Sequence, residues 1–161
     1  MTLKEYNHSV ELFSDRVFRF VLKNTRDHHF SEDIVQESYE KLWRCVDDID
    51  FSKAKSWLFS TAYHGMIDRL RKEKKISFTA DLPSVEDNPF RQYPDVREHL
   101  NEGVNRLPEI QRIVLTLRDF EGYTYKEIGE MTNLNETQVK VYIYRARIYL
   151  KNYIGKIDVM V

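Results

Sequence analysis

Two stretches of the 161-residue chain set cations among aromatic rings. In SWLFSTAYHGMIDRLRKEKK, residues 56–75, Trp57, Phe59 and Tyr63 precede Arg69, Arg71, Lys72, Lys74 and Lys75. Rings stack on unpaired bases while cations hold phosphates, which is the chemistry of a single-stranded nucleic-acid site. Bases opened from a duplex need such a platform, because unstacking costs roughly a few kcal/mol. Part of this charge is structural, since a helix dipole favours cations at a C-terminal end. In YTYKEIGEMTNLNETQVKVYIYRARIYLKNY, residues 123–153, Lys140, Tyr144, Arg145, Arg147 and Lys151 are spaced along one helical segment. Such cations suit guanine edges and phosphates of a duplex.

Other reactive groups are sparse. His28 and His29 stand beside Glu32 and Asp33, a set that could ligate a metal or serve a metal-dependent hydrolase. No further ligands follow at suitable spacing, so a solvated turn between helices is the simpler reading. The single cysteine, Cys45, excludes an intrachain disulfide and a thiolate zinc cluster, and reads as a small buried residue. There is no nucleophile–base–orienter arrangement and no phosphate-binding glycine loop. Binding, not catalysis, is expected, without a cofactor or metal.

The elements that must position these groups are helical. Thr124 and Glu127 have the spacing of a capping box, and the short helix they open carries Ile128 and Met131 on one face. Asn133-Leu134-Asn135 breaks it, and Asn135 with Gln138 opens a second helix. That helix repeats apolar residues at Val139, Ile143, Ala146, Leu150 and Tyr153, one stripe for burial. A short helix, a polar turn and a basic-faced longer helix suggest a DNA-binding helix-turn-helix. Upstream, Tyr6, Val10, Phe13, Val17, Phe20 and Val21 predict one or two amphipathic helices over 3–26. DHHFS, 27–31, breaks the pattern, and Ser31 is expected to cap a helix over 31–46. Its stripe is Ile34, Val35, Tyr39, Leu42 and Val46, with Trp43 at the edge and an acidic-polar opposite face. After a loop at 47–55, Ser56 is the candidate cap of the aromatic-basic helix. Val96, Leu100, Val104 and Leu107 form a further stripe. Pro108 begins a helix that turns Ile110, Ile113, Val114, Leu117 and Phe120 inward and ends at Gly122.

With 42% hydrophobic and 32% charged residues, the chain is that of an all-α protein able to bury a core. The net charge of −1 argues against an indiscriminate polyanion binder. Its distribution is blocked: 31–48 acidic, 69–75 basic, 81–102 acidic, which suggests separate surfaces for separate partners. Residues 76–94 hold three of the four prolines and show no periodicity. They read as a flexible linker between a helical domain at 1–75 and a second at 95–161 containing the helix-turn-helix. The N-terminus has no apolar h-region and no segment has the length of a membrane span, so a cytoplasmic protein is expected.

Three segments, in order, resemble the extracytoplasmic-function (ECF) group of alternative sigma factors of bacterial RNA polymerase. They are DIVQESYEKLW (33–43), WLFSTAYHGMIDRLRKEKK (57–75) and LPEIQRIVLTLRDFEGYTYKEIGEMTNLNETQVKVYIYRAR (107–147). The resemblance implies a subunit that binds core polymerase and directs promoter-specific initiation. Core binding, to the clamp helices of the largest subunit, would fall to Asp33, Gln36, Glu37, Tyr39 and Trp43, with the flap region a further contact. The −10 element, opened to single strand, would be read by Trp57, Tyr63, His64, Asp68, Arg69, Arg71 and Lys72. The −35 duplex would be read by Thr137, Lys140, Val141, Tyr142, Tyr144 and Arg145, with Arg147 on phosphate. An anti-sigma factor is a further implied partner. Two positions depart from the family pattern: His64 stands where members carry asparagine, and Tyr142 where they carry arginine. A stand-alone helix-turn-helix regulator is the competing reading; it gives the acidic helix and Trp57–Lys75 no role.

Overall fold

The computed structural model of the protein describes residues 1–76 and 96–158. Among them every regular element is helical. Two compact units are formed, Met1–Lys74 with Glu130–Asn133, and the other described residues of the C-terminal half. The expected linker lies, beyond Ile76, outside the described residues, as do the side chains of Lys74 and Lys75.

The first unit holds three α-helices. α1 (Leu3–Thr25) is one continuous helix, opened by a reciprocal capping box between Thr2 and Glu5. It buries Val17, Phe20 and Val21, but Val10, expected on that stripe, is exposed and Ser9 is buried instead. The reason is local: the Tyr39 hydroxyl donates to the Ser9 carbonyl at 2.8 Å, and the Ser9 hydroxyl donates to the Tyr6 carbonyl at 2.6 Å.

α2 (His28–Arg44) begins three residues before the expected Ser31. Asp27 is the cap: its Oδ1 accepts the Phe30 N–H at 3.0 Å. The buried Ser31 hydroxyl instead donates back to the Asp27 carbonyl at 2.7 Å. α2 buries Phe30, Ile34, Tyr39 and Leu42, and ends at a half-buried Cys45. After a 3₁₀ turn at Val46–Asp48, α3 (Phe51–Ile76) starts five residues ahead of the expected Ser56. The early start is anchored by Phe51, whose ring lies 5.6 Å from His8 and 6.5 Å from Phe13. Ala54, Leu58, Phe59, Ala62 and Met66 complete the core, with Phe59 against Phe20 at 5.5 Å.

In the second unit, α4 (Val96–Arg106) and α5 (Glu109–Leu115) both pack on α7 (Glu136–Asp158), with Pro108 at the start of α5. α5 runs into a π-helical turn, Thr116–Phe120, with the Glu121 N–H on the Thr116 carbonyl. The wider turn buries Thr116 and Leu117 and swings Phe120, expected inside, to 50% exposure. Gly122 follows at φ +75°, its N–H on the Arg118 carbonyl, as the expected helix stop.

α6 (Tyr125–Thr132) and α7 form the helix-turn-helix. Both expected capping boxes are made. Glu127 N–H reaches Thr124 Oγ1 at 3.1 Å and Thr124 N–H reaches Glu127 Oε1 at 3.3 Å; Gln138 N–H and Asn135 N–H do likewise with Asn135 and Gln138 side chains at 2.7 and 3.0 Å. Asn133 takes the left-handed conformation at φ +59°. The turn brings the Leu134 carbonyl to 2.7 Å from where a Cβ on Gly129 would stand, so that position needs glycine. Val139, Ile143, Ala146 and Leu150 are buried as the stripe requires, and Tyr153 stacks on His99 at 4.3 Å.

Tyr39 gives the first unit a measurable pH dependence. Burial, foremost, holds its phenol up at about 12, against an ordinary value of 10.0. A folded-state pKa above the unfolded one favours the neutral form in the fold. That contribution is complete below pH about 10 and is lost as pH rises through about 12. Tyr39→Phe should cost about 1 kcal/mol at pH 8, the worth of one hydrogen bond. It should also flatten the loss of stability between pH 10 and 12, as followed by urea denaturation across pH.

Candidate nucleic-acid interface

On α2, Gln36 and Glu37 are exposed and Asp33 partly so. Trp43 is 50% exposed and meets Tyr6 edge-on at 5.1 Å. With Leu3, Tyr6, Glu40 and Arg44 it lines a shallow surface groove. Tyr39, predicted for the same face, is only 8% exposed. Its hydroxyl is engaged with α1, so the structure places it beneath the face, holding α2, and not on it.

On α3, His64, Asp68, Arg71 and Lys72 are exposed and Trp57 is half-buried. Tyr63 is buried, edge-on to His64 at 5.1 Å. Arg69 is drawn toward the other set. Its guanidinium lies 3.7 Å from Asp33 and 3.9 Å from Glu37, and 5.1 Å above the Phe30 ring. The structure therefore joins one residue predicted for DNA to two predicted for a protein partner. These distances exceed hydrogen-bonding range, and exposed ion pairs contribute about 0–1 kcal/mol. His28 and His29 both sit beside Glu32, at 3.2 and 3.9 Å. Among the described residues no group of three or more His, Cys, Asp or Glu could hold a metal ion. Nor is any described helix long and apolar enough to cross a membrane.

On α7, burial of the apolar stripe turns Thr137, Lys140, Val141, Tyr144, Arg145 and Arg147 outward, while Tyr142 is half-buried. Lys140 Nζ lies 3.7 Å from Glu136 and 5.7 Å from the Tyr125 ring centroid. Arg147 Nη2 donates to Asp119 Oδ1 at 2.7 Å. That hydrogen bond is the main reason its guanidinium is held above its ordinary pKa. Arg118 lies 4.7 Å over Tyr125 and donates to the Tyr123 carbonyl at 2.9 Å. Arg118, Asp119 and Tyr125 were not among the predicted site residues. Asp119 reaches Arg147 from the π-helical turn, 28 positions away in sequence, and no local sequence pattern marks that turn.

Residues 10–76 match the Sigma-70 region 2 family, and residues 98–150 match Sigma-70 region 4. The chain is 33% identical over 147 residues to the ECF RNA polymerase sigma factor SigM of Bacillus subtilis, covering 88% of this chain and 90% of that protein. The chain belongs to the ECF sigma factors. It is likewise 30% identical over 144 residues to the RNA polymerase sigma factor SigV of B. subtilis, covering 88% and 86% of the two. The sigma factor RpoE from Bartonella quintana, solved with the anti-sigma factor NepR, shares the fold with a TM-score of 0.78 at 22% identity, covering 95% of this chain and 98% of that one. CnrH, solved with the cytosolic domain of CnrY, does so with a TM-score of 0.65 at 18% identity, covering 94% and 88%. This ECF sigma factor is thus a specificity subunit of RNA polymerase, which binds core enzyme and directs promoter-specific initiation. A stand-alone regulator would leave the region 2 match unexplained.

The Arg147–Asp119 pair makes a prediction for the ECF sigma factor in its holoenzyme. Asp119→Asn should free the Arg147 guanidinium for a phosphate. The plot of log affinity for promoter duplex against log salt should steepen by up to about one unit. An unchanged slope in a KCl titration would show that Arg147 gains no phosphate.

Proposed function

We propose that promoter recognition is divided between the two units. In this reading 1–75 carries core binding and the −10 element, 76–94 is the linker, and 95–161 carries the −35 element. The acidic face of α2, with Asp33, Gln36, Glu37 and Trp43, docks on the clamp helices of the largest subunit, and the second domain meets the flap region. Tyr39 supports that face from below. His64, Asp68, Arg71 and Lys72, with Trp57, meet the opened −10 strand, where rings offset lost base stacking and cations hold phosphates. α7 enters the major groove at −35, Lys140 and Arg145 pairing with base edges while phosphate contacts set register. The protein performs no covalent chemistry of its own and acts in the cytoplasm. An anti-sigma factor is a natural partner, because RpoE and CnrH were each solved with a bound protein, NepR and CnrY.

The observation that carries this reading is the outward face of α7. A capped helix-turn-helix buries one stripe and presents Thr137, Lys140, Val141, Tyr144 and Arg145 on the opposite side. The net charge of −1 fits a subunit that gains most of its DNA affinity within the holoenzyme.

Two substitutions separate the tasks. Glu37→Lys should weaken core affinity roughly tenfold or more, since like charges across an interface are costly. The fold should stand, because the Glu37–Arg69 pair is a weak surface one. Arg145→Ala should leave core affinity intact and cut discrimination at one upstream base pair by roughly 5- to 150-fold. Normal core affinity for the Glu37→Lys protein, measured by competition for core enzyme, would remove α2 from the docking surface. Unaltered promoter discrimination by holoenzyme carrying Arg145→Ala would remove α7 from the groove.

A further inference from the structure

The outward face of α7 is not simply basic. At about 100° per residue, the buried stripe Val139, Ile143, Ala146 and Leu150 lies almost directly opposite Val141. Val141 is 39% exposed, Tyr144 66% and Ile148 42%. With the Thr137 methyl they form an apolar ridge along the middle of the face. Cations flank it: Lys140 and Arg147 on one side, Arg145 on the other. A ridge of this kind gains nothing from water, and its chemistry is that of a particular duplex surface. Phosphates form the walls of the major groove. On its floor thymine alone presents a methyl group.

We propose that Val141 reads a thymine in the upstream promoter element, by packing its isopropyl group on the C5-methyl. This rests on the reading of α7 as the groove-entering helix. Position along the helix favours Val141 for the task. In a helix-turn-helix the N-terminal part of the second helix reaches the base edges. Val141 lies in that part of α7 (Glu136–Asp158), whereas Ile148 lies roughly two turns further on. Selectivity follows from the same contact. A G·C pair carries no methyl in the major groove, so the isopropyl group would lose its apolar partner there and lie against polar edges only. Lys140 and Arg145 would then select guanines beside the thymine, so the element combines a methyl-bearing step with cation-read steps.

The test removes the methyl alone. A promoter fragment that the holoenzyme transcribes is rebuilt with deoxyuridine replacing thymidine at random positions. Holoenzyme-bound and free DNA are then compared position by position. Wild-type holoenzyme should show about fourfold weaker binding on loss of one upstream methyl, the worth of burying one such group. With Val141→Ala that position should become indifferent, while guanine-methylation interference at neighbouring positions persists. Three results overturn the proposal: an upstream element without thymine, no effect of uracil there, or the same effect in Val141→Ala. Val141→Ala acting on assembly with core, and not on the uracil response, would place a protein on the ridge and also overturn it. If guanine interference upstream is absent as well, the fault lies with the assignment of α7 to DNA.

Discussion

The burial of one stripe on α7 decides what the second unit can do. Val139, Ile143, Ala146 and Leu150 face inward. With about 0.8 kcal/mol at stake for each buried methylene, rotating the helix would be far more costly than any surface contact could repay. The rotation of α7 is therefore fixed, and with it the row from Thr137 to Arg145. The capping boxes at Thr124 and Asn135 fix where each helix begins, and Gly129 allows the Leu134 carbonyl to close the turn. The packing on the inside of α7 thus sets which side chains its outside presents.

The first unit works by the same logic with different chemistry. The Tyr39 hydroxyl on the Ser9 carbonyl, and the Tyr6 hydroxyl on the Tyr39 carbonyl at 3.1 Å, tie α1 to α2. Phe59 against Phe20 ties α3 to α1. On this frame Arg69 is shared between two carboxylates at distances beyond hydrogen bonding, while Arg19 and Asp15 pair at 2.9 Å on the exposed side of α1. A rigid apolar frame under weakly paired surface charge suits a protein whose surfaces must exchange water and counterions for macromolecules.

The sequence was most legible where a local rule is strict. Both capping boxes, the α7 stripe and the stop at Gly122 follow from spacing, and the structure makes each of them. It was less legible where several residues could satisfy one rule. Ser31 and Ser56 are good caps by type, yet Asp27 captures the first helix start, and Phe51 draws the other five residues upstream through ring packing that no local pattern reveals. Exposure was harder still. Tyr39 and Tyr63 have the residue type of interface aromatics but are buried, and Phe120 has that of a core residue but is turned out by the π-helical step. Contacts distant in sequence, such as Arg147 with Asp119 and Arg69 with Asp33, lay beyond any reading of spacing. The family, in contrast, was legible from three motifs in order, because each reflects a surface under a separate chemical demand.

This chain supplies promoter specificity to core RNA polymerase. The direct measurement is in vitro transcription of genomic fragments by core enzyme with and without the purified protein. A defined set of new start sites should appear only when the protein is present, and these should share an upstream and a −10 element. Co-purification with core enzyme but no new start sites, or tight sequence-specific duplex binding without polymerase, would contradict it.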